Sequence, residues 1–389
     1  MCKISKYTFY LLIFILIVYC VIPVINNFYI ENLPYVKPNG SYKLDFGPYT
    51  IHTENKKEIK LYDYNPSICQ NDNDMIIVSR ISGHTFKNRK NTCMKILKEY
   101  IYDDDINKAF SVFPENKIES SSIVIVRNIT KNTKKIVPFN INKFAFSTGK
   151  LKGNYLGCED PRIFTFNNKT WVYFHYIGRD NLYNKDRISK YITIAPLDNL
   201  SQFVHLYTTN MRETEKNWMP FEYNNELYFE YSFQPRIIMK AILDKNGLPT
   251  GYCDKIYKTK FNHNLGVRRF GGGAPSIKIK VNGKHYFLGI GHTNGLVKTI
   301  TVRKNFFYIF RAEPPFDILW CGPELNMLKH YSSCIDFVTG LMVKNDKNTD
   351  EINRPLTVDD YKVFVSFGVE DCYGCINEYN LGDIVKFKF

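Results

Sequence analysis

One pattern recurs along this chain. A polar turn of Asn, Asp or Gly leads into a short run of aromatic and β-branched residues, with a polar residue at or near its far end. Asn73-Asp74-Met75 leads into Ile76–Arg80, Asn167-Asn168-Lys169 into Trp171–Tyr176, and Asn224-Asn225-Glu226 into Leu227–Tyr231. Asn282-Gly283-Lys284 leads into Tyr286–Gly289 and on to His292, and Asp359-Asp360 into Tyr361–Gly368. Aromatic and β-branched residues fit a pleated, half-buried surface, and Asn, Asp and Gly accept the backbone angles of tight turns. The turns return about every 60 to 95 residues, which suggests repeated all-β units. Five copies predict an all-β fold, a five-bladed β-propeller; the competing arrangement is a β-sandwich. Helical periodicity is scarce. Thr92–Tyr102, with Met94, Ile96, Leu97, Tyr100 and Ile101, predicts one amphipathic helix in a surface insertion. Residues 344–354 are polar and predict an exposed loop.

The N-terminus breaks the pattern. Tyr7 to Ile25 is one apolar run without a charge, and about 20 such residues span a bilayer as a helix. Lys3 and Lys6 precede it and the next charge is Glu31, which places the N-terminus in the cytoplasm and the remainder in the lumen or outside. A cleaved signal peptide is the alternative, but the length of the run and the lack of a small-x-small site favour an uncleaved anchor. The expected organisation is a cytoplasmic tail (1–6), a transmembrane signal anchor (7–25), a polar stalk (26–60) with Pro34, Pro38 and Pro48, and one lumenal propeller domain (61–389). That is a single-pass type II membrane protein of the Golgi or ER. Cys69, Cys93, Cys158, Cys253, Cys321, Cys334, Cys372 and Cys375 remain outside tail and anchor, an even set compatible with disulfides whose pairing is open. Asn39, Asn128 and Asn168 head glycosylation sequons.

Composition narrows the function. The chain has 389 residues, 44% hydrophobic and 15% aromatic, with a net charge of +14. Such a charge suits nucleic acid, a membrane surface or an anionic substrate. The basic residues are scattered and no nucleic-acid motif is present, so nucleic acid is set aside. No metal or cofactor is expected.

The chemistry centres on Gly157-Cys158-Glu159-Asp160-Pro161-Arg162. Pro161 fixes its own φ and is expected to hold Asp160 extended, on a corner just before a strand. Arg162, two residues on, would then share its side and hold a carboxylate or bind an anion. By itself the motif also reads as a surface turn with a local ion pair. Four more segments flank blade-like strands: Asn65-Pro66-Ser67 with Arg80 after it, Glu215–Phe221, Arg268–Ser276, and Ser366–Asp371. In a propeller the inner strands converge on one axial funnel, so these segments would share a pocket. Glycosyl transfer needs an acid near the leaving oxygen, and release to water usually needs a second carboxylate as base. Asp160 is the expected acid, and Glu159, Glu222, Glu230 and Asp371 are the candidate bases. A phosphate-bearing donor needs cations, which Arg80, Arg162, Lys216, Arg268 and Arg269 offer. Trp218, Tyr231 and Phe270 either stack on sugars or pack in the core. His292 is either a pocket hydrogen-bonding group or a structural histidine. Gly271-Gly272-Gly273 either admits a ligand close to the backbone or makes a tight turn.

The combination resembles the five-bladed propeller enzymes of glycoside hydrolase family 130, the β-mannoside phosphorylases and their relatives, and the related mannosyltransferase/phosphorylase enzymes of some eukaryotes. The likeness covers roughly residues 60–375. Gly157 with Glu159-Asp160-Pro161-Arg162 carries most of it. Asn65-Pro66-Ser67 followed by Arg80 matches the first-blade pattern, and Lys216-Asn217 with Pro220 resembles the Lys-Asp…Phe-Pro segment before the third blade. The resemblance implies that Asp160 is the general acid, with Glu159 beside it. It implies that Asn65 and Arg80 serve the sugar or phosphate site. Arg162, Lys216, Asn217, Trp218, Glu230, Arg268, Arg269, His292 and Asp371 complete the expected substrate contacts. Two departures stand out. The family has an arginine for phosphate where this chain has Tyr231-Ser232, and its Lys-Asp is Lys216-Asn217 here. With an anchor in front, the layout is that of a Golgi glycosyltransferase, moving mannose from a sugar-phosphate or nucleotide-sugar donor to a glycan. A phosphorylase or hydrolase is the enzymatic alternative, and a glycan-binding propeller the non-catalytic one.

Overall fold

A computed structural model describes residues 35–71, 73–83, 99–113, 115–137, 156–180, 184–212, 214–260, 270–297, 300–327, 336–345 and 357–385. Its strands group into five antiparallel units in chain order. Unit I comprises Glu58–Asn71, Asp74–Ser82, Ser121–Asn128 and Thr133–Ile136, and unit II Leu156–Phe166, Lys169–Asp180, Asn184–Pro196 and Val204–Leu206. Unit III comprises Met219–Tyr223, Glu226–Phe233, Arg236–Leu243 and Pro249–Thr259. Unit IV comprises Phe270–Val281, Lys284–Val297, Ile300–Arg311 and Ile318–Leu325. Unit V comprises Asp336–Asn345, Tyr361–Val369 and Tyr373–Asn380, and takes its fourth strand, Gly40–Leu44, from the start of the domain.

The core lies in the seams between units. Val78, Val126, Val172 and Phe174 fill the seam of I with II, and Phe166, Ile192, Trp218 and Phe229 that of II with III. Phe221, Ile238, Phe287 and Phe310 fill III with IV; Leu288, Phe307, Val363 and Tyr379 fill IV with V; Ile68, Ile77, Met342 and Ile376 fill V with I. The first strand of each unit also touches the first strands of both neighbours. Five seams thus close a ring of small sheets around an axis, consistent with the expected propeller and not with a two-layer sandwich.

The Asn turns are hairpins, as their composition predicts. Asn167 and Asn168 have φ of 51° and 55°, Asn224 and Asn225 of 50° and 58°, and Asn282 and Gly283 of 50° and 78°. Two consecutive left-handed residues make the turn that matches strand twist. Asp359-Asp360 differs. It belongs to a short 3-10 helix, Val358–Asp360, in which the Asp360 carboxylate accepts from the backbone N–H and hydroxyl of Thr357.

Three expectations need correction. Residues 35–60 are not a stalk: Tyr35–Val36 pairs with Ile318–Leu325, Gly40–Leu44 closes unit V, and Tyr49–His52 extends unit I. Their prolines sit between these strands, where no ladder N–H is needed. In the expected helix 92–102, residues 92–98 lie outside the described residues and Ile101–Tyr102 is a strand. A helix follows instead at Asp104–Phe110, capped by the Asp103 carboxylate and burying Ile106 and Phe110. Third, the cysteines do not all pair. Cys69, Cys158, Cys253, Cys321 and Cys375 are free thiols, while Cys372 is disulfide-bonded. Burial pushes the thiols of Cys69, Cys253, Cys321 and Cys375 up to about 12, so they act as inert filling. The apolar run 7–25, the loop 346–354, Arg268 and Arg269 lie outside the described residues. Among the described residues no helix is long and apolar enough to cross a membrane.

Candidate active site

Irregularities in the first strands build the site. Tyr64 pairs with Arg80 and Ser67 with Val78, so Asn65-Pro66 carries an extra residue against its partner. Arg162 pairs with Tyr173 and Glu159 with His175, so Asp160-Pro161 does the same. Both Xaa-Pro residues turn left-handed, Asn65 with φ of 53° and Asp160 of 47°. Asp160 is therefore not extended, as proline alone would predict. The bulge prevails and swings the carboxylate out of the ladder toward the axis. Units I and II are locked in register where Ser121 and Ser122 pair with Leu156 and Gly157. Gly157, with φ of 100°, is needed there, because a Cβ would lie 1.9 Å from the Ser122 carbonyl oxygen.

This register brings Asn65, Arg80, Glu159 and Asp160 together. Asn65 Nδ2 donates to Asp160 Oδ1 at 2.9 Å, and Arg80 Nη1 donates to the same oxygen at 3.2 Å. Arg80 Nη2 donates to Glu159 Oε1 at 3.2 Å, and Lys190 Nζ holds the other Glu159 oxygen. The Asp160 side chain is 18% exposed, against 5% for Glu159, so it is Asp160 that meets the funnel. Burial works against its ionisation. Arg80, Lys190 and the Asn65 hydrogen bond outweigh burial and hold the carboxyl well below the usual carboxylate range. Asp371 of unit V lies close enough to reinforce the charge on Arg80.

Behind this group Arg162 is wholly buried and does not pair with Asp160. Its Nε donates to the Gly273 carbonyl at 2.6 Å and its Nη2 to Asn217 Oδ1 at 2.7 Å, while its guanidinium lies over the Tyr173 ring. It ties units II, III and IV together. Gly272 serves the same junction: a Cβ there would come within 2.4 Å of Met219 and 3.0 Å of the Asn217 carbonyl. The glycine triplet lies inside the strand Phe270–Val281 and not in a tight turn, and Gly272 serves packing between units. Asn65 has a similar dependence on Gly368, where a Cβ would lie 1.9 Å from Asn65 Oδ1. Gly368→Ala should cost about 1–3 kcal/mol of stability through overpacking. It should also lower turnover by displacing Asn65 from Asp160. Denaturation midpoint and turnover measured together check this, and a variant unchanged in both would refute it.

Cations crowd the rim. Lys216 is exposed, yet desolvation and then repulsion from Lys190 and Arg303 lower its ammonium below the usual lysine range, with Asp160 and Glu159 opposing. His292 is buried and neutral, held far below the usual histidine range by burial and by Arg303, Arg162 and Lys216.

Other expected contacts lie elsewhere. Trp218 packs in the seam of units II and III, edge-on to Phe229 and Tyr231, and gives its indole N–H to Glu215. Glu230 is fully buried and pairs with Arg236, accepting also from Ser276 Oγ at 2.7 Å and Tyr308 Oη at 2.8 Å. Arg236 is thereby committed and does not supply the family's missing phosphate arginine. Sequence reasoning missed Lys190, His175, Tyr173 and Arg303, which sit on second and third strands. Strand alternation placing Tyr173 and His175 on one face, just after the acidic motif, was the available signal.

No protein-family model matches the chain, and no curated protein matches it. Among solved structures, the β-1,2-mannobiose phosphorylase from Listeria innocua, in complex with β-1,2-mannobiose, matches with 14% identity and a TM-score of 0.50, covering 89% of this chain and 98% of that one. The chain has that propeller fold. A putative glycoside hydrolase from Bacteroides ovatus is 10% identical with a TM-score of 0.46, covering 90% and 98% of the two chains. A GDP-Man-dependent mannosyltransferase from Leishmania mexicana is 12% identical with a TM-score of 0.43, covering 86% and 88%.

The first strands of all five units also line a cavity away from the Asp160 group. It measures about 640 Å³ and is lined by the later halves of these strands, including Cys69, Thr165, Glu222, Ile277 and Leu341. Asp160 and its partners do not line it, and Glu222, one of the carboxylates weighed as a base, belongs to it.

Proposed function

We propose that the protein is a glycan-active enzyme that exchanges a mannosyl group between a phosphate-bearing donor and a sugar hydroxyl, with Asp160 moving the proton. One observation supports this above all. A carboxylate gripped through one oxygen by Asn65 and Arg80 keeps its other edge toward a rim where Lys190, Lys216 and Arg303 gather. In the transfer direction the bond from the anomeric carbon to the donor phosphate oxygen breaks and a bond to the acceptor oxygen forms. The acceptor's proton passes to Asp160, already ionised, and the departing phosphate carries its charge to the cations. Phosphorolysis is the same path in reverse, with protonated Asp160 acting as the acid of the family pattern. The fold shared with a mannobiose phosphorylase favours keeping that direction open. A hydrolytic base is harder to find: Glu222 lines the separate cavity, Glu230 is sealed in, and Glu159 is held by two cations.

Incubating residues 26–389 with a panel of sugar 1-phosphates and nucleotide sugars, plus mannose-containing acceptors, tests the reading. New glycosidic product supports it, and binding of glycan without product from any donor would favour the lectin alternative. Lys216→Ala should leave stability unchanged, since it makes no ion pair among the described residues. It should weaken donor binding by about 1.5–3 kcal/mol, roughly 10- to 100-fold, with salt-dependent affinity in the parent protein. Equal affinity in the two proteins would remove Lys216 from the donor site. We further propose that residues 7–25 anchor the enzyme with its propeller in the lumen of the secretory pathway. Protease added to sealed microsomes should spare the propeller, and digestion without detergent would overturn that topology.

A further inference from the structure

Asp160 has one oxygen committed and one facing an unexpected neighbour. Oδ1 is taken by Asn65 and Arg80. Oδ2 faces the imidazole of His175, whose Nδ1 is 3.8 Å away. That exceeds a hydrogen bond, so Oδ2 keeps a lone pair open to an incoming hydroxyl. The far side of the ring is pinned. His175 Nε2 lies 3.2 Å from Tyr173 Oη and 3.4 Å from the backbone N of Asn217. An amide N–H only donates, so Nε2 accepts, and a neutral ring then carries its proton on Nδ1. Tyr173 is placed to donate as well, because its oxygen is approached by the backbone N–H of Trp218. The ring is neutral: burial outweighs the pull of Asp160, and Arg162, Lys190 and Lys216 repel a further charge. From the other side Asp160 is faced by Arg80 and Lys190, with Glu159 adjacent in the chain.

We propose that His175 is the positioning residue of Asp160, a neutral imidazole locked by Tyr173 and Asn217 so that its Nδ1–H faces the reactive carboxylate oxygen and fixes the plane in which that oxygen meets the acceptor hydroxyl. This rests on the proposed proton-transfer role of Asp160 for its effect on rate, but the tautomer stands on geometry alone.

The experiment has two arms. Nitrogen-15 NMR of histidine-labelled protein should show His175 protonated on Nδ1 and unprotonated on Nε2 across neutral pH, the less common form in free histidine. In the second arm, His175→Phe should lower kcat about 100-fold, the scale of a misplaced reacting group, with donor KM unchanged. His175→Asn, whose amide N–H reaches the place of Nδ1–H, should recover most of the loss. Tyr173→Phe should weaken the tautomer preference, which the Asn217 N–H then holds alone, and serves in the second arm if His175→Phe does not fold. An Nε2–H or doubly protonated ring overturns the proposal, as does a folded His175→Phe with parental kcat. Should the parental protein turn over no donor at all, the functional reading fails, and the tautomer spectrum still decides the positioning.

Discussion

Asp160→Asn should lose about 10²–10⁴-fold in turnover, roughly 3–5 kcal/mol of barrier, while the domain stays folded and still binds glycan. Asparagine keeps the size of the side chain and an oxygen for Asn65 and Arg80, but it can neither take nor give the proton. Were Asp160 only the partner of a surface arginine, the pair would be worth about 0–1 kcal/mol and turnover would barely change. In a lectin there would be no turnover to lose. The acid dependence has a definite sign. The folded carboxyl is held below its unfolded value, so the stability it contributes is present above about pH 4 and is lost as pH falls through the folded value. The parent protein and the asparagine variant should therefore converge in stability below about pH 4. Turnover, glycan affinity and urea denaturation against pH, on this single variant, separate these cases. A folded variant with parental turnover would remove Asp160 from the chemistry.

Arg236→Met should cost about 3–5 kcal/mol, the largest stability loss expected of any single change here. Glu230 and Arg236 are both 0% exposed, in the seam of units III and IV. Removing the cation leaves a carboxylate in that seam with only Ser276 and Tyr308 to hold it. Against a typical total of about 5–15 kcal/mol, such a loss leaves little margin. The double variant Arg236→Met, Glu230→Gln should regain much of it, because an amide can share the remaining hydrogen bonds without a buried charge. Denaturation midpoints of the parent, single and double variants check this. A single variant within about 1 kcal/mol of the parent would mean that water reaches the seam.

The hairpins were legible because Asn-Asn and Asn-Gly between aromatic runs have one cheap backbone solution, and Asn167-Asn168 and Asn224-Asn225 adopt it. The acidic motif was legible as a site because Pro161 and Arg162 mark it, but its local shape was not. Proline rules describe the isolated dipeptide, whereas Asp160 obeys the pairing of Glu159 with His175 across a bulge. Trp218 and Glu230 misled for a related reason. Both sit beside segments that build the candidate site, yet both point into seams. Lys190 and Arg303 carry no motif at all, and only the ring brings them to the rim.

The strand Gly40–Leu44 is among the first parts of the domain to be synthesised and must wait for Tyr373–Asn380, almost the last, before it can pair. Such distant partners make closure slow, and until it happens two unsatisfied edges are exposed in the nascent chain. Those edges are complementary, so during crowded synthesis exchange of the first strand between molecules competes with closure. The sheet that this strand completes also carries Asp371, which lies near Arg80. Closing the ring thus ends the exposure of those edges and completes the charged group around Asp160.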